Sequence, residues 1–293
     1  MQHVELLNEL PRLRRPVLLA AFEGWNDAGE AASAAVEAVR TNLRAQAFAA
    51  VDPEEFFDFQ VVRPRVHFTD DGRREISWPR TRLSWAQVPG SDHHLVLLDG
   101  PEPNLRWRTY TEVLTGLAEE LGVEFAITVG ALQVDTPHTR PVPLTASTGD
   151  PNLASRLGLP TSSYEGPTGM TGVLHQALGG EGIPSVSLWA GIPHYLSAAA
   201  YAPGALALGE RIGGLLGVDL VLDDLARDAA GQTDDIAEIV AEDEELADYI
   251  TELEARADEV AGAEVDLPAP TVSGEELAAE LERYLRDRGG GAS

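Results

Sequence analysis

Apolar residues run through the chain in short unbroken blocks. Residues 16–22, 94–98, 124–130 and 184–190 lack alternation, as strands covered on both faces of a parallel sheet do, and 47–51 adds a fifth candidate strand. Between them the period lengthens to that of helices. The spacing predicts helices over 30–44 and 105–121, the second capped by Asn104. It also predicts one opening at Asp150-Pro151, one reaching Leu178, and one over 205–216 that breaks at Gly217. Residues 1–15 form a lead-in with an edge strand. Strand–helix alternation of this kind predicts an α/β fold, in which ligands bind beyond the carboxyl ends of the strands.

Two regions interrupt the rhythm. Residues 65–69 and 75–78 alternate around Asp71-Gly72, the signature of a hairpin. Residues 81–87 add a third antiparallel strand, so a β-meander insertion that shields a site or joins subunits is expected. After residue 218 the chain becomes acidic and helical. Ile239, Leu246, Leu253 and Val260 recur every seven residues, flanked by Ile236, Ile250 and Ala257. That stripe must pack on something, either its own chain or a neighbouring copy. A linker over 261–270, a capping box at Ser273, a last helix to Asp287 and a mobile glycine tail complete the prediction. Two regions result: an α/β domain over 1–218 and an acidic helical region over 219–293.

Charge sharpens this division. The 293 residues carry 48 acidic side chains against 21 basic ones, a formal net charge of −27, which argues against nucleic acid and anionic membranes as partners. Residues 219–293 alone hold 23 acidic residues and 5 arginines. Cysteine is absent, so thiol nucleophiles, disulfides and thiolate metal sites are excluded. Lysine is absent too, which excludes Schiff-base and P-loop chemistry. With no leader pattern and no apolar run near the length of a membrane span, a soluble cytoplasmic protein is expected.

Candidate chemistry sits at the strand ends. Glu23, Trp25 and Asp27 follow the first block. Asp27 can cap the next helix and Trp25 can fill a gap beside it, or all three can line a site. Asp99 and Glu102 follow the block at 94–98. Arg106 lies in the first turn of the next helix, where a cation opposes the helix dipole and would suit an acidic partner. Three prolines in seven residues stiffen the loop presenting His138 and Arg140, and His194 and Tyr195 follow the last block. Convergence of these groups would allow acid/base catalysis or the binding of a divalent metal. Thr168, Gly169 and Thr171 open a helix whose exposed amides could hold an anion. No metal-ligand spacing, Gly-x-Ser-x-Gly elbow or cofactor fingerprint occurs, so neither metal nor cofactor is expected.

Taken together, several stretches resemble the PAC2 family, named for the proteasome assembly chaperone, in its actinobacterial form. They are Pro16-Val-Leu-Leu-Ala-Ala-Phe-Glu-Gly-Trp-Asn-Asp-Ala-Gly29, Leu98-Asp-Gly-Pro-Glu-Pro-Asn-Leu-Arg-Trp107, Gly130 through Pro137-His-Thr-Arg-Pro141, Tyr164 to Gly172, and Leu188-Trp-Ala-Gly-Ile-Pro-His-Tyr195. The resemblance implies a three-layer α/β/α sandwich similar to the phosphorylase/hydrolase-like fold with a helical appendage. It also implies homo-oligomers, trimers among them, with proteasome subunits as candidate partners. Two functions follow as expectations: a non-enzymatic assembly chaperone or scaffold, or a small-molecule-binding or hydrolase/phosphorylase-like protein with a strand-end pocket.

Overall fold

The computed structural model describes residues 2–196 and 200–264, with side chains in the last helix to residue 259, and positions 279 and 283. The capping box at Ser273, the glycine tail and the Val260 side chain lie outside the described residues. Of the helix expected after Ser273 only positions 279 and 283 are described, both helical, and the linker expected over 261–270 is helical as far as residue 264, where its description ends.

Four strands form the parallel centre of an eight-stranded sheet: β2 (Val17–Glu23), β7 (His94–Pro101), β8 (Phe125–Val134) and β10 (Ser185–Pro193). On one flank β6 (Arg82–Gln87), β3 (Gln46–Val51) and the edge strand β1 (Val4–Leu6) add antiparallel, and β9 (Leu144–Ser147) closes the other edge. The order is β1-β3-β6-β7-β2-β8-β10-β9.

Because strand side chains alternate in direction, each central strand feeds two cores. Val17, Leu19 and Ala21 of β2 meet α1 (Ala31–Asn42), α3 (Pro151–Leu157) and α5 (Ala202–Leu216). Leu18, Ala20 and Phe22 meet α2 (Trp107–Glu120) and α4 (Met170–Gly180) on the other face. Full burial on both sides explains the unbroken apolar blocks, and the result is the expected α/β/α sandwich.

Three details depart from the sequence expectations. The hairpin of β4 (Arg65–Phe68) and β5 (Arg74–Ser77) is a separate two-stranded sheet, and β6 pairs with β3 and β7 rather than with it, so there is no meander. The parallel strands also outrun their apolar blocks: β8 and β10 stay paired as far as Val134 and Pro193, because the backbone ladder continues regardless of side chain. As far as residue 264 the acidic region forms two helices, α6 (Asp223–Glu242) and α7 (Glu244–Glu264). Asp243 leaves the helical conformation between them, and its carboxylate accepts from the Leu246 amide at 3.1 Å, capping α7. The break rotates the two halves, so the sevenfold stripe does not form one seam. Ile236 is buried against the α1/α5 core while Ile239 is 62% exposed, and in α7 the anchors are Ile250 and Leu253. Both helices pack on their own chain.

Candidate functional site

The first strand-end turn is built by backbone geometry. Gly24 (φ 118°) reverses the chain after β2, and Asn26 and Asp27 turn inward, both 7% exposed. Asp27 Oδ1 accepts from the amides of Ala32 (2.7 Å) and Ser33 (3.2 Å), filling the start of α1. Burial raises its pKa, and those amides pull it back down. Trp25 does not fill a gap; it stands 62% exposed. Glu23 is exposed at the strand tip, yet partial desolvation followed by the neighbouring Asp27 and Asp99 raises its pKa.

The second turn is tied to the first, with the Glu102 amide donating to the Glu23 carbonyl at 2.9 Å. Glu102 Oε1 accepts from the Met170 amide at 2.6 Å, so this chain's own carboxylate takes the first amide of α4 at the helix start formed by Thr168, Gly169 and Thr171. Gly169 permits that closeness: a Cβ there would lie 1.9 Å from Asn26 Oδ1 and 2.7 Å from Glu102 Oε1. Asp99 is held by Arg82 at 2.5 Å. Arg106 is paired with Glu55 and not left for an acidic partner, and Asn104 accepts from the Asp58 amide rather than capping α2.

Burial raises the Glu102 pKa above its ordinary 4.5, against the lowering effect of the Met170 amide. The folded chain therefore holds the proton more tightly than the unfolded one. Stability relative to a Glu102→Gln variant is highest at the acid end of the window above pH 4.5 and declines as pH rises through the folded value. Glutamine keeps an acceptor for Met170. Glu102→Ala orphans that amide and is expected to cost about 1–2 kcal/mol in urea unfolding at pH 7.

The third group gathers against α7. Tyr195 Oη accepts from the His138 amide at 2.7 Å and lies 2.8 Å from His138 Nδ1, so its own proton is directed to that nitrogen. Burial lowers the His138 pKa, in keeping with a neutral ring that accepts at Nδ1. His194 Nδ1 is 3.3 Å from Asp135 and its Nε2 is 3.4 Å from Tyr249 Oη. The rings of His194, Tyr195 and Tyr249 meet edge to face at 5.7–6.4 Å. Arg140 is gripped by α7: Nε and Nη2 each lie 2.8 Å from the Asp258 carboxylate and Nη1 lies 3.3 Å from Glu254, which also accepts from the Thr139 hydroxyl. That fork raises the Arg140 pKa and lowers that of Asp258.

A family model for the PAC2 family matches residues 21–240. The chain belongs to the PAC2 family. Its solved PAC2 relatives include a Streptomyces avermitilis PAC2 protein, 46% identical, which covers 80% of this chain and 99% of its own at a TM-score of 0.75. A Mycobacterium tuberculosis proteasome-assembly chaperone homologue is 43% identical over the same shares, at 0.72. A second M. tuberculosis structure, of unknown function, is 29% identical and matches 97% of this chain and 96% of its own at 0.79. No curated protein matches.

In this PAC2 chain the candidate residues form two groups, not one cleft. Glu23, Asp27, Asp99 and Glu102 lie with α1 and the start of α4, whereas His138, Arg140, His194 and Tyr195 lie under α7. Among the described residues no hydrogen bond or ion pair joins the groups, and no three His, Asp or Glu side chains are placed to hold a metal ion. Sequence reasoning missed Tyr249, Glu254 and Asp258. The i, i+4 spacing of Glu254 and Asp258 puts both on one helix face, but so many acidic residues share α7 that nothing marked this pair.

Proposed function

We propose that the protein is a non-enzymatic, self-associating assembly chaperone or scaffold of the cytoplasm, with proteasome subunits as its protein partners. The observation that carries this reading is the state of the strand-end groups. The carboxylates of Asp27 and Glu102 serve helix starts, His138 Nδ1 is spent on Tyr195, and Arg140 is neutralised by α7. Each of these groups has a bonding role within the chain that accounts for its place at the strand ends without a substrate. The described chaperone homologue with 43% identity supports the same reading.

Self-association is supported by the hairpin. Val66 and Phe68 of β4, Ile76 of β5 and Trp78 just after it alternate onto one face of the hairpin and are 43–71% exposed, with Trp78 edge to face with Phe59. A two-stranded ribbon needs a covering layer to be stable, and a second copy of the chain supplies it here, as a trimer in the form the family resemblance implies. Phe68→Asp with Ile76→Asp is expected to convert the oligomer to monomer in sedimentation velocity at micromolar concentration, with the circular dichroism spectrum unchanged. An unchanged sedimentation coefficient would remove the hairpin from the interface.

A further inference from the structure

The loop after His138 and the outer side of α5 enclose an open cleft of about 530 Å³, within the range of small-molecule sites. Its walls are apolar, with Val142 and Leu144 on the loop side and Pro203 and Leu206 on the helix side. Two guanidinium groups also line it. Arg140 has Nε, Nη1 and Nη2 committed to Asp258 and Glu254. Arg211 is half-buried and, among the described residues, has no hydrogen bond or ion pair. A partly desolvated cation with no bonded counter-charge is unfavourable, and although Glu210 lines the same cleft it forms no ion pair with Arg211.

From the unpaired Arg211 beside an apolar wall we infer that the cleft binds an apolar monocarboxylate, its head group on Arg211 and its body along Val142, Leu144 and Leu206. A guanidinium offers a carboxylate two parallel donors, and the hydrocarbon body gains from leaving water. The exposed Glu210, which also lines the cleft, disfavours a second negative charge on the ligand. The net charge of −27 does not preclude binding, because at physiological salt its field fades over about 8 Å while Arg211 acts at contact. This ligand site stands independently of the assembly role.

Isothermal titration of the full chain with decanoate, kept below its micelle concentration, tests it. Saturable binding is expected, weakened on the order of tenfold by Arg211→Gln, as one lost charge-assisted pair implies. Arg227→Gln, which removes a surface arginine paired with Asp224 on α6, should leave it unchanged. Leu206→Asp should abolish binding through the apolar wall, and decylamine should not bind. Absence of saturable decanoate binding, equal affinity in Arg211→Gln, or equal affinity for decylamine would overturn the assignment.

Discussion

Leu253→Ala releases α7 from the strand-end loops. Leu253 is fully buried and Ile250 is 4% exposed, so these two side chains supply the apolar anchor of a helix that is otherwise acidic and solvated. Truncating a buried leucine costs about 2–5 kcal/mol, and here the cost falls on docking of one helix rather than on the sheet. Hydrogen exchange should show α7 amides losing protection while β2, β7, β8 and β10 keep theirs. The polar half of the contact is tested by Arg140→Glu, which sets like charges opposite Glu254 and Asp258 and should speed α7 exchange on the order of tenfold, less so in high salt. Exchange in α7 that is unaffected by either variant would mean that the helix is held elsewhere.

Gly100→Ala is expected to destabilise the whole sheet. Gly100 lies in β7 at φ 153°, where the backbone favours glycine, and a Cβ there would come within 2.5 Å of the Arg80 carbonyl oxygen and 2.9 Å of Thr81 Cα. Both obstacles are backbone, so no rotamer change relieves them. Backbone strain and overpacking together are expected to cost about 2–6 kcal/mol in chemical unfolding. The neighbouring Thr81 hydroxyl is bonded to the fully buried Tyr110, so displacement of residues 80–81 also disturbs the α2 core. A loss below about 1 kcal/mol would show that β6 can slide away from β7 at this point.

The central strands were legible because burial on both faces leaves an unbroken apolar run, and Asp150-Pro151 opened a helix as its cap-then-proline order required, with Asp150 accepting from the Asn152 and Leu153 amides. What escaped depends on distant partners. The place of β6 between β3 and β7 is set by pairing across the sheet, to which its local alternation is indifferent. Glu102 reaches a helix start 68 residues away, and no local motif records that. The break at Asp243 carried a faint signal, an Asp followed by two glutamates and Leu246 in the pattern of a helix start, but the sevenfold spacing across it read as continuity. Arg106, expected to suit an acidic partner, and Arg140, expected beside His138 in a strand-end cleft, met their carboxylates on their own chain, at Glu55 and on α7.

Native mass spectrometry of the protein purified gently from its own host tests the central claim most directly. The assembly reading predicts a homo-oligomer that carries a proteasome subunit, with the polypeptide identified in the same spectrum by dissociation. A monomer, or an oligomer that never carries a proteasome subunit under conditions where proteasome precursors are present, would contradict it.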